Sequence, residues 1–102
     1  MIELGGNIVL EGFQEEDGST LIIIKKMVGQ YARKISNMRA DFQRLTLRMK
    51  YVRDVHGDES GTKYELAAHL LADEDYISEV TDRNIFFALD KALSQIVRQI
   101  SS

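Results

Sequence analysis

With 102 residues, 44% apolar and 28% charged, the chain is the size of one ordinary globular domain, 1–102, with a modest core. Zero cysteines excludes disulfides, thiolate metal sites and a cysteine nucleophile, and suits a reducing cytoplasm. The formal charge of −3 hides a segregation: residues 1–24 carry five acids and no Lys or Arg, residues 25–53 nine bases and one acid, and residues 54–102 four bases and ten acids. Such segregation suggests one face for a polyanion, unless folding interleaves the segments and cancels their fields. No apolar run nears the roughly 20 residues of a membrane span, so no membrane partner is expected. MIELGGNIVLEGF lacks the basic start and apolar run of a secretory signal.

After the Gly5-Gly6 turn signal, residues 7–13 read as a short strand. EEDGS breaks the pattern, and Ser19 is the expected N-cap of a helix from about Thr20 to Asn37. Leu21, Ile24, Val28, Tyr31 and Ile35 form its apolar face, with Ile22, Lys26, Gly29 and Arg33 opposite. Residues 42–53 switch to period two: Leu45, Leu47, Met49 and Tyr51 point to the core, and Arg44, Thr46, Arg48 and Lys50 point away. HGDESG (56–61) suggests a hairpin into a strand over 63–72, and DED (73–75) turns into a third strand over 76–81. A last helix should run from about Arg83 to Ile100, capped by Thr81 or Asp82. Its buried face is Ile85, Leu89, Ala92, Leu93, Ile96 and Ile100; Phe87, Lys91, Ser94 and Arg98 face out. The expected fold is α+β, a two-layer sandwich in the order β-α-β-β-β-α: a four-stranded, mainly antiparallel sheet with both helices on one face.

That layering sets two basic surfaces on opposite sides of the molecule. Arg44, Arg48 and Lys50 form a row on the open sheet face, about 6.6 Å apart, a spacing suited to a path of phosphates. The alternative is a solvated face with the bases paired across the ladder, for instance to Glu65. Lys25, Lys26, Arg33 and Lys34 on the first helix, with Lys91 and Arg98 on the second, form the other surface. Phe87 is a candidate for stacking on a base or contacting a partner. An enzyme is not expected: His56 and His69 lack a paired nucleophile, and Asp73, Glu74 and Asp75 lack the spacing of an EF-hand loop. No cofactor or metal is expected.

The ending ALDKALSQIVRQI (88–100) resembles the ribosome hibernation-promoting and ribosome-associated inhibitor family. Phe86 stands at that family's aromatic position, followed by Ala88, Leu89, Asp90 and Ala92. Ile96, Arg98, Gln99 and Ile100 match its Leu-x-Arg-Gln-Leu ending, and Gly6-Asn7 matches an early Gly-Asn. Where many members carry Lys, this chain has Gln95, and EGFQEEDGS is more acidic than the family pattern. The resemblance implies a domain like the double-stranded-RNA-binding fold. It also implies non-enzymatic binding to structured RNA of the small ribosomal subunit, in the channel of messenger and transfer RNA, inhibiting translation or stabilising idle ribosomes. The alternative is a protein-interaction or homo-oligomerising module, a homodimer pairing through its open sheet face or strand edges.

Overall fold

The computed structural model describes residues 1–53 and 62–101; His56 and the HGDESG loop lie outside the described residues. The elements are β1 (Ile2–Leu4), β2 (Ile8–Glu11), α1 (Gly18–Met38), β3 (Arg44–Arg53), β4 (Thr62–Leu71), β5 (Asp75–Asp82) and α2 (Ile85–Ser101). They build one mixed sheet in the order β1-β2-β3-β4-β5, with β2 and β3 parallel and the other neighbours antiparallel. Both helices pack on one face, as expected, but the sheet has five strands, and the order is β-β-α-β-β-β-α. The extra strand is β1, paired Ile2 to Leu10 and Leu4 to Ile8 through a turn in which Gly5 and Gly6 both have positive φ. Three residues are too few to show a period of two, so only the turn was legible.

α1 begins at Gly18 rather than Thr20, because Asp17 caps it: its Oδ1 accepts the Thr20 N–H at 2.8 Å and the Ser19 hydroxyl at 3.0 Å. These bonds hold the Asp17 carboxyl below the usual carboxylate range. Ile24, Val28, Ala32 and Ile35 are its buried residues, while Leu21 and Tyr31 are half-buried at the edges of the stripe. α2 starts two residues later than expected, with Asn84 as its cap: Asn84 Oδ1 accepts the N–H groups of Phe86 and Phe87. Ile85, Ala88, Leu89, Ala92, Leu93 and Ile96 face the sheet, and Ile100 is half-buried.

Leu45, Leu47 and Met49 on β3 and Leu66, Ala68 and Leu70 on β4 meet these helix faces in one core, closed at one end by the fully buried Phe13. A side chain such as Phe13 contributes about 2–3 kcal/mol by leaving water. Ser78 is the one buried polar residue among those described, and its Oγ donates to the Ala92 carbonyl at 2.7 Å, tying β5 to α2. Tyr51 departs from the expected core row: it is 48% exposed. Its ring lies 5.3 Å from that of Tyr64 and its hydroxyl donates to Glu16. Burial, then the neighbouring Asp17 and Glu15, pushes the Glu16 carboxyl up.

Arg39, just past α1, is a clamp. Its guanidinium grips both oxygens of Asp41 and the Tyr76 hydroxyl, and Asp41 Oδ2 also accepts the Asp73 N–H. Arg39 is thereby raised further, and Asp41 lowered, chiefly by each other. The Asp73–Asp75 turn is thus held in place by Asp41. No helix among the described residues is long and apolar enough to cross a membrane.

Candidate nucleic-acid interface

The backbone register turns the open sheet face into a grid. Thr46 lies beside Val9 and His69, Arg48 beside Glu11 and Ala67, and Lys50 beside Glu65. Arg44, Arg48 and Lys50 are exposed in one row, as their alternation requires. The row is not an isolated positive stripe, however. Arg48 Nε donates to Glu11 Oε1 at 2.7 Å, an ion pair in which both side chains are well exposed. Glu3 flanks the row from β1, and Glu79 and Asp75 from β5, so folding interleaves the acidic segments with it. Arg44, Arg48, Lys50 and Lys63 face Glu3, Glu11, Glu65, Asp75 and Glu79: four bases against five acids among the described residues. The reason is the pairing itself, which draws the acidic first segment alongside β3 in parallel register. A pairing to Glu65 was the expected alternative; the one observed comes from Glu11 instead.

The helix layer has the opposite character. Lys25, Lys26, Arg33 and Lys34 on α1, and Lys91 and Arg98 on α2, are all exposed, and the two helices contain a single acid, Asp90. Six bases against one acid give +5, leaving −8 for the rest of a chain that totals −3. Lys26 and Arg33 are seven residues apart, as are Lys91 and Arg98, which at 1.5 Å per residue is about 10.5 Å along each helix. Both helices return over the sheet from strands that point the same way, so the two rows run alongside each other.

The two helices are also joined by a bond that the sequence did not reveal. The Tyr31 hydroxyl donates to Asp90 Oδ1 at 2.7 Å, from the middle of α1 to the first turns of α2. Burial and then the Asp90 carboxylate push the Tyr31 phenol up to about 12. The bond also occupies the layer's one carboxylate. A shallow cleft of about 290 Å³ follows this seam, lined by Gln30, Tyr31, Lys34 and Asp90. Phe87 is 54% exposed, as expected, with Lys91 Nζ 5.8 Å from its ring centre, a cation–π contact on the outer surface. Ile22 is exposed too.

The remaining candidates fall elsewhere. His69 lies on the open sheet face beside Thr46, with Nε2 3.5 Å from Asp75 Oδ1. On the outer edge of the sheet, Gln99 Nε2 donates to the Ile77 carbonyl of β5 at 2.8 Å, which covers part of that edge.

No protein-family model and no curated protein matches the chain. Among solved structures it is similar to the N-terminal domain of Protein Y of Thermus thermophilus, with a TM-score of 0.57 over 91% of each chain and 13% identity. At that identity the likeness is one of fold, and it places this chain's architecture with that of the family its last helix resembles.

Proposed function

We propose that the chain is a non-enzymatic RNA-binding module that seats its helix layer on structured RNA of the small ribosomal subunit in the cytoplasm and acts by occupancy. In this reading it fills the channel of messenger and transfer RNA, inhibiting translation or stabilising idle ribosomes. The observation that carries it is the net +5 of the helix layer in an acidic chain. The fold likeness to the Protein Y domain and the resemblance of residues 88–100 support it. Lys26, Arg33, Lys91 and Arg98 meet phosphates along two rows, and release of the condensed counterions drives binding. Lys25 and Lys34 flank the rows, and Phe87 stacks on an unpaired base. Arg44, Arg48 and Lys50 lie among carboxylates, so they act through local contacts and not through a long-range field.

The test is co-sedimentation with small subunits and binding to a structured RNA fragment across salt concentrations. Four phosphate contacts give a log–log slope of about −3, so a fourfold rise in salt costs about 60-fold in affinity. Lys26→Glu with Arg33→Glu should abolish binding, while Arg44→Glu with Arg48→Glu should leave most of it. Wild-type binding by a folded helix double variant would overturn the assignment of the interface.

A further inference from the structure

Thr46 sits at the centre of a concave groove on the open sheet face, about 520 Å³ in volume. Small-ligand pockets span roughly 300–1,000 Å³. Arg44 and Arg48 stand two residues away on either side of Thr46, and His69 is its partner across the ladder. The β1–β2 hairpin, with Glu3 and Glu11, forms one wall, and Val9 and Leu71 give apolar floor.

The His69 ring lines the groove from β4, its Nε2 buried against Asp75 Oδ1 at 3.5 Å; two features separate this spot from a solvated strand face. Arg44 makes no ion pair or side-chain hydrogen bond among the described residues, so its fork of donors is unspent. Arg48 is held by Glu11 through Nε alone, which fixes the guanidinium at the rim and leaves its terminal N–H groups unengaged.

We propose that this groove binds a small phosphomonoester, with its phosphate seated over Thr46. Arg44 and Arg48 close on the phosphate from two sides, the Thr46 hydroxyl donates from the floor, and the His69 ring packs against the ligand from β4. Donors on three sides suit a tetrahedral dianion, whereas a planar carboxylate would use only part of the set. The carboxylates of Glu3 and Glu11 repel a second phosphate and accept hydrogen bonds from hydroxyl or amino groups of the ligand body. The class is therefore a mononucleotide or a sugar phosphate with one phosphate. The site is on the opposite side of the molecule from the helix layer and does not depend on the RNA reading.

The experiment is a titration of the isotope-labelled full chain, followed by amide chemical shifts at near-physiological salt. The probes are adenosine monophosphate, adenosine diphosphate, ribose 5-phosphate and inorganic phosphate. Saturable shifts at Val9, Thr46 and His69 are expected with at least one of the two monoesters, and the two together tell a nucleotide from a sugar phosphate. Inorganic phosphate and the diphosphate should each bind about tenfold more weakly or worse. Arg44→Gln should weaken monoester binding about tenfold, and Thr46→Val, the milder change, should weaken it in the same direction. Lys26→Glu with Arg33→Glu should leave the titration unchanged, which separates failure here from failure of the RNA reading. The proposal falls if neither monoester gives saturable shifts at about 10 mM, if shifts map only to α1 and α2, or if inorganic phosphate binds as tightly as the monoesters. It also falls if Arg44→Gln, folded by its melting curve, binds like wild type.

Discussion

Replacing Gly12 by alanine tests how tightly the chain crosses β3 on its way from β2 into α1. Gly12 has φ +85°, and a Cβ built there would lie 2.1 Å from the carbonyl oxygen of Met49. Gly6 supplies the control: its φ is +84°, yet no atom lies within 4 Å of its Cβ position. The left-handed backbone costs a non-glycine residue about 1–2 kcal/mol, so Gly6→Ala should lose about that much. In a domain of this size each kcal/mol lowers the melting temperature by about 4–8 °C. Gly12→Ala carries the same strain plus an overlap with backbone that cannot yield unless β3 moves, and Leu47 and Met49 anchor β3 in the core. Overpacking of that kind adds about 1–3 kcal/mol, for a total of about 2–5. The assay is urea unfolding of both variants, compared through midpoints at unchanged m-value. The difference between them isolates the overlap. Equal losses in the two would refute the close crossing. Because Glu11 precedes Gly12 and holds Arg48, the same variant should also loosen that ion pair.

Two further outcomes concern the helix layer. Tyr31→Phe removes the bond to Asp90, and because the pair is partly exposed the loss should be about 1 kcal/mol near neutral pH. The Tyr31 phenol is held at about 12, above its unfolded value of about 10. Its contribution is therefore complete below that unfolded value and fades as pH rises to about 12, so Tyr31→Phe should flatten alkaline unfolding curves in that window. Asp17→Asn keeps a capping oxygen but cannot titrate. The Asp17 carboxyl lies below its ordinary value, so the stability it gives is present above the usual carboxylate range and lost as pH falls through its folded value. Acid unfolding of Asp17→Asn should be shallower below about pH 4, and an unchanged acid limb would argue against the cap.

The sequence by itself settled most of the core, though Tyr51 at the end of its row is exposed and Leu21, Tyr31 and Ile100 lie half-buried at the edges. Alternation placed Leu45, Leu47 and Met49 inward and Arg44, Arg48 and Lys50 outward, and helical spacing placed Ile24, Val28, Leu89 and Ile96 inward and Phe87 outward. These assignments need only the two periods of the backbone, which are local properties of a few consecutive residues. The cap of α1 went the other way: Ser19 was expected, but the geometry of one turn gives the role to Asp17. Electrostatics was decided by tertiary structure alone. The charge of a sheet face depends on which strands lie side by side, and the partner of Arg48 is Glu11, 37 residues away. The acidic first segment moved next to the basic strand and left it balanced, while the helices, with a single acid between them, kept their charge. Periodicity is written in adjacent residues, whereas cancellation of charge waits on pairing between distant ones.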